Sequence, residues 1–179
     1  MPQQTDNTPA TDTEPPGAIV VEITDTQNFI PVVQEDLAAL AIRVLRGEGV
    51  SRASISIALV DDAAIHRVNR AHLDHDCPTD VISFLLSEPD EDELTGELVV
   101  STQTALAMAA QLEVPAWSEL VLYVVHGLLH LCGYDDRSDE DARIMRAREK
   151  MALECENLAA AYAGAEPQLA SHEGREIGS

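Results

Sequence analysis

The chain has 179 residues, of which 45% are apolar and only 3% aromatic, so Leu, Ile, Val and Ala must fill the core of what its length suits: one domain with flexible ends. With 32 acidic side chains against 11 basic ones and a formal net charge of -21, its surface repels anions at long range. That charge argues against a large nucleic-acid footprint, while leaving room for a small basic patch beside a cleft.

In chain order, residues 1–17 are rich in Pro, Thr and acid and are expected to form a disordered tail. The folded domain is expected over 18–163, and a second disordered tail over 164–179. AIVVEIT (18–24) is β-branched and strand-like. Residues 32–47 place Val33, Leu37, Leu40, Ala41, Val44 and Leu45 at helical spacing, and Gly47 and Gly49 end that helix. SISIALV (54–60) predicts a strand, and Asp61 or Asp62 caps a short helix through Ala71. DVISFLL (80–86) is a strand, SEPDEDELTG (87–96) an acidic turn, and ELVVS (97–101) a further strand followed by a helix to about Leu112. After Pro115, a helix to about Cys132 carries Leu120, Val121, Val124, Val125, Leu128 and Leu129 with little polar surface, which marks it as a core helix. Gly133 terminates it, since glycine readily takes φ > 0. Ser138 and Asp141 resemble a capping box for the last helix, whose Ile144, Met151, Cys155, Leu158 and Tyr162 lie on one face that is expected to pack on the core. Four strands and four or five helices, outside strict βαβ alternation, predict a compact α+β fold with a mixed sheet.

Three cysteines, Cys77, Cys132 and Cys155, show no paired spacing, which fits a reducing cytoplasm better than a disulfide framework. No apolar run approaches the ~20 residues that span a bilayer. The N-terminus lacks the basic start and apolar stretch of a signal peptide.

The densest chemistry lies in HGLLHLCGYDD, His126 to Asp136. His126 and His130 are four apart on a predicted helix, so their imidazoles share a face one turn apart and can bind one metal ion. Gly133 would let the chain turn back, and Asp136 could approach the same ion from another side. Two imidazoles and a carboxylate suit one Zn²⁺ with the fourth position open, the pattern of a catalytic rather than a structural site. The competing reading is a pair of hydrogen-bonded core histidines, in which each ring must satisfy two nitrogens. A metalloprotease reading is disfavoured, because the general-base Glu of H-E-x-x-H is replaced by Gly127.

HGLLHLCGYDD resembles the signature H-G-x-L-H-L-x-G-Y-D-H of the YbeY endoribonucleases, bacterial ribosomal-RNA maturation factors. VNRAHLDHDCPTDVISF (68–84) and GELVVS (96–101) resemble two further blocks of that family, in family order. The resemblance implies a zinc-hydrolase-like α+β fold, cleavage of single-stranded RNA, a role in 3′-end maturation of small-subunit (16S) ribosomal RNA, and ribosome quality control. It implies His126, His130 and Asp136 as the metal ligands and ribosomal RNA as partner, while the strongly acidic surface also suits binding a basic ribosomal protein. Two departures stand out. Asp136 occupies the place of a third histidine, which makes the metal a weaker Lewis acid; Asp135 could compete for the role, and Asp136 is preferred because it aligns. Leu73 stands where the family commonly has an Arg that could hold a phosphate, and Arg70 is the nearest substitute.

Thr79, Asp80 and Ser83 belong to a shared block but could simply order their strand, and His75 could bind or protonate a leaving group. No catalytic residue besides the metal ligands is assigned. Arg137, Arg143, Arg146, Arg148 and Lys150 follow the motif and read either as a salt-bridged helix face or as a small phosphate-tracking patch. Two functions compete: a metal-dependent endoribonuclease, and a non-catalytic ribosome-assembly factor with a structural zinc.

Overall fold

The computed structural model describes residues 17–72, 79–156 and 158. The expected tails, apart from Gly17, lie outside the described residues, as do Leu73, His75, Cys77 and Tyr162. The elements run β1 (Ile19–Asp25), α1 (Gln34–Gly47), β2 (Ala53–Val60), α2 (Asp62–His72), β3 (Val81–Leu85), β4 (Leu94–Ser101), α3 (Thr102–Leu112), α4 (Ala116–Leu131) and α5 (Asp139–Cys155).

The four strands form one mixed sheet in the order β1-β2-β4-β3. β1 and β4 run parallel to β2, with Ile19 opposite Ala53 and Ala53 opposite Leu94, while β3 runs antiparallel to β4 with Val81 opposite Val100. This is the α+β single domain predicted, with five helices among the described residues. In β2 the alternation is strict: Ala53, Ile55, Ile57 and Leu59 are buried, as a half-covered strand requires. β4 begins three residues earlier than ELVVS suggests. Leu94, Thr95 and Gly96 pair with β2, and Gly96 also pairs with Leu85, so the end of the expected acidic turn is drawn into the sheet.

In α1 the predicted stripe is buried at Leu37, Leu40, Ala41, Val44 and Leu45, and Gly49 follows its end at φ +81°. Val33 caps the helix and is exposed. The choice left open between Asp61 and Asp62 resolves by role. Asp61 Oδ1 caps α2 by accepting from the Ala64 N–H at 2.7 Å. Asp62 instead accepts from the hydroxyls of Ser101 and Thr104, tying α2 to the start of α3.

α4 is the core helix, buried along nearly its whole length and packed on β3, β4 and helices α1, α3 and α5. Gly127 permits its close approach to the sheet. A Cβ there would lie 2.9 Å from Leu98 Cδ2 and 3.0 Å from Val81 Cγ2. The Ser83 hydroxyl donates to the Gly127 carbonyl at 3.3 Å, pinning helix to strand.

The last helix starts as its capping box predicts, with Ser138 Oγ accepting from the Asp141 N–H at 3.1 Å. Its buried face corrects the expectation. Met145, Glu149 and Leu153 face inward, whereas Ile144 and Met151 are 38% and 55% exposed and Cys155 is exposed. Counting apolar residues selected the wrong stripe, because the inward face includes a glutamate with a partner on α4.

A candidate metal centre on the core helix

α4 presents Glu119, Tyr123, His126 and His130 at spacings of four, three and four, hence on one face. His126 and His130 sit at its C-terminal end. Their rings meet edge to face with centroids 4.6 Å apart, and their Nε2 atoms lie 3.0 Å from each other. The chain then turns at Gly133, φ +92°, and returns Asp136 so that its Oδ2 stands 3.7 Å from His126 Nε2. Side-chain donor atoms of His126, His130 and Asp136 all lie within 4.8 Å of one another, a group that could hold a metal ion. The three predicted residues are thus brought together. Asp135 accepts from the Asp136 N–H at 2.8 Å and faces Arg137 at 3.5 Å, outside the cluster.

The outer hydrogen bonds determine what the rings can offer. His126 Nδ1 lies 2.6 Å from Glu149 Oε1, and His130 Nδ1 lies 3.0 Å from the Tyr134 carbonyl. A carboxylate and a carbonyl only accept, so both Nδ1 atoms carry the hydrogen. Both neutral Nε2 atoms then present lone pairs to each other at 3.0 Å, a repulsive arrangement unless a proton or a metal ion lies between them. Burial disfavours charge on His126, yet the Glu149 hydrogen bond and charge, with Asp80 and Asp136, outweigh it and raise its pKa. The donor set therefore fits a cation.

The centre opens on a cleft of about 430 Å³, lined by Thr79 to Ser83, Leu85, His126, His130, Leu131 and Asp136. Asp80 Oδ1 accepts from the Val81 N–H at 2.9 Å and the Thr79 hydroxyl at 3.3 Å, so this pair orders the start of β3 as well as lining the cleft. Among the described residues, no Lys or Arg lines this cleft. Arg70 is exposed on α2 and is not among the described lining residues. Of the five cations after the motif, Arg137 faces Asp135, Arg143 pairs with Glu140 at 2.8 Å and Arg148 pairs with Glu48 at 2.6 Å. The salt-bridged reading holds for these three. Burial pushes the Cys132 thiol up to about 11, which disfavours the thiolate at neutral pH.

Sequence reasoning missed Glu149 and the role of the Tyr134 carbonyl. Glu149 was one acid in a charged helix, and its distinguishing signal is spatial. It lies at the same position of its stripe as the buried Met145 and Leu153, four residues to either side.

A mixed four-stranded sheet bearing a buried helix, whose two histidines and following aspartate converge at an open cleft, defines an α+β protein with a helix-borne candidate metal centre. Residues 22–156 match the family described as Endoribonuclease YbeY. The chain belongs to that family. It is similar to an Endoribonuclease YbeY of Rhodopirellula baltica, 43% identical over 126 residues, covering 69% of this chain and 64% of that protein. A relative of the same name from Syntrophotalea carbinolica is 37% identical over 136 residues, covering 73% of this chain and 91% of the relative. A third, from Carboxydothermus hydrogenoformans, is 35% identical over 136 residues, 75% of this chain and 95% of the relative. The solution structure of TM1509 from Thermotoga maritima shares the fold, with a TM-score of 0.55 at 22% identity, covering 84% of this chain and 99% of that one. No helix among the described residues is long and apolar enough to cross a membrane.

Proposed function

We propose that this chain is a zinc-dependent, single-strand-specific endoribonuclease, acting through one domain over 18–163 in the cytoplasm, in 3′-end maturation of 16S ribosomal RNA and in ribosome quality control. The observation that carries the reading is the convergence of the two Nε2 atoms and the Asp136 carboxylate at an open cleft. Family membership and the relatives named Endoribonuclease YbeY support RNA as substrate. His126, His130 and Asp136 would hold one Zn²⁺, a three-ligand set that leaves a position open. Bound there, zinc supplies polarisation of a phosphoryl oxygen or acidification of a water for attack on a phosphodiester. The chain's own work is positional. Glu149 and the Tyr134 carbonyl fix the two rings in the tautomer that frees Nε2, and Asp136, 46% exposed, leaves the cleft side accessible.

A second reading is supported by the absence of Lys and Arg from the described cleft lining and by the acid partners of Arg137, Arg143 and Arg148. A phosphate entering here meets no Lys or Arg among the described lining residues, which suits a non-catalytic ribosome-assembly factor with a structural zinc that binds ribosomal proteins. An end-labelled single-stranded RNA carrying a small-subunit 3′ end separates the two. Cleavage by zinc-loaded protein that is lost in His126→Ala is expected for the nuclease. Zinc-loaded protein that leaves the RNA intact, and melts at a markedly lower temperature once stripped, would establish the assembly factor instead.

A further inference from the structure

We propose that Glu48, Arg148 and Tyr134 form a positioning latch that sets the metal affinity of the centre from outside it. The proposal rests on the metal-site reading above and deepens it. The Tyr134 hydroxyl donates to Glu48 Oε2 at 2.8 Å and accepts from Arg148 Nε at 2.8 Å, while Arg148 Nη2 donates to the same Glu48 oxygen at 2.6 Å. Each corner of this triangle bonds both others, and the Arg148 guanidinium carbon lies 5.5 Å from the Tyr134 ring centroid. The triangle spans three segments. Glu48 is the C-cap of α1, Arg148 lies on α5, and Tyr134 belongs to the loop between α4 and α5.

That loop carries the parts of the centre that helical periodicity alone does not place. The Tyr134 carbonyl accepts from His130 Nδ1 at 3.0 Å, fixing the ring's orientation and tautomer, and Asp136 follows two residues later. Gly133 at φ +92° makes the turn, and the Tyr134 N–H closes it by donating to the Leu129 carbonyl at 3.1 Å. The phenol end of Tyr134 adds a side-chain hold from α1 and α5 to that backbone one, and its carbonyl passes it to His130. Glu48 is 10% exposed and Arg148 31% exposed at the side chain, so this network is better shielded than a surface ion pair. A second ion pair of equal length, Arg43 to Glu156 at 2.6 Å, also joins α1 to the end of α5 but does not touch the loop. It is an internal control for helix packing as such.

The experiment measures Co²⁺ and Zn²⁺ affinity by chelator competition on the full chain, with the melting temperature of each metal-free variant alongside. Tyr134→Phe keeps the ring and the carbonyl and removes the hydroxyl. It is expected to weaken metal binding about 10-fold, the lower end of what outer partners of a ligand contribute. Glu48→Ala is expected to do the same, Glu48→Gln to recover most of the loss because it retains an acceptor oxygen, and Arg43→Gln to leave affinity unchanged. The Glu48→Ala, Tyr134→Phe double variant should bind no worse than either alone, since both break one network. Wild-type affinity in Tyr134→Phe, or an equal loss in Arg43→Gln, overturns the latch while leaving the metal site standing. A wild-type protein that binds neither ion overturns the site reading and the latch with it.

Discussion

The two ends of the polar face of α4 are built differently. At the C-terminal end, His126 has Glu149, His130 has the Tyr134 carbonyl, and the remaining nitrogens converge on Asp136. At the N-terminal end, Glu119 is 2% exposed and its Oε2 has no hydrogen-bond partner among the described residues. A buried carboxyl without full pairing is costly as an anion, so it favours the protonated form. Burial raises the Glu119 pKa, a hydrogen bond from Tyr123 opposes that rise, and the nearby Asp80 adds to it. The same helix face thus organises donor atoms at one end and buries an imperfectly satisfied acid at the other. Polar burial marks the site only where partners from other elements converge.

The comparison is broken most sharply at His126. His126→Ala should lower metal affinity by more than about 100-fold, beyond the ~10–100-fold span typical of outer partners, read as metal bound after dialysis against a buffered ion. Glu149→Gln keeps the shape but weakens the hold on the Nδ1 hydrogen, and its metal affinity should fall ~10–100-fold. Unchanged affinity there would reduce Glu149 to a packing residue. Gly127→Ala acts where α4 meets the sheet, because its Cβ would meet Leu98 and Val81 at 2.9 and 3.0 Å. Denaturant unfolding should show a loss of about 1–3 kcal/mol, as overpacking of a filled core does.

The smallest effect lies at Glu119. Its folded-state pKa is raised, so the folded chain holds this proton more tightly than the unfolded one. Stability from this group is present at low pH and declines as pH rises above the ordinary glutamate value of about 4.3. Glu119→Gln should remove that decline, so that its melting temperature gains on the wild type with rising pH. Parallel curves for the two proteins would mean that the carboxyl finds a full set of partners in solution.

Much of the fold was legible because short-range periodicity carried it. The stripe of α1, the alternation in β2, the burial of α4 and the Ser138 cap follow from spacing and local hydrogen bonding. The error on α5 is instructive. Ile144 and Met151 satisfy an apolar stripe yet face outward, because the inward stripe is Met145, Glu149 and Leu153, with Glu149 reaching His126 across 23 residues of chain. A hydrophobicity count passes over that stripe because its middle member is an acid whose charge-assisted partner lies on another helix. The basic cluster after the motif was equally ambiguous. Arg148 reads as a phosphate-tracking charge until Glu48, 100 residues earlier, is found beside it.

From the sequence alone came the elements, the α+β class and the sharing of one helix face by His126 and His130, all consequences of residue geometry within a turn or a strand. The approach of Asp136, the pairing of Glu149 with His126, the closeness of Gly127 to the sheet and the Tyr134 triangle were decided by tertiary structure. Each depends on where two distant segments meet, and periodicity determines which residues share a face without determining what that face will touch.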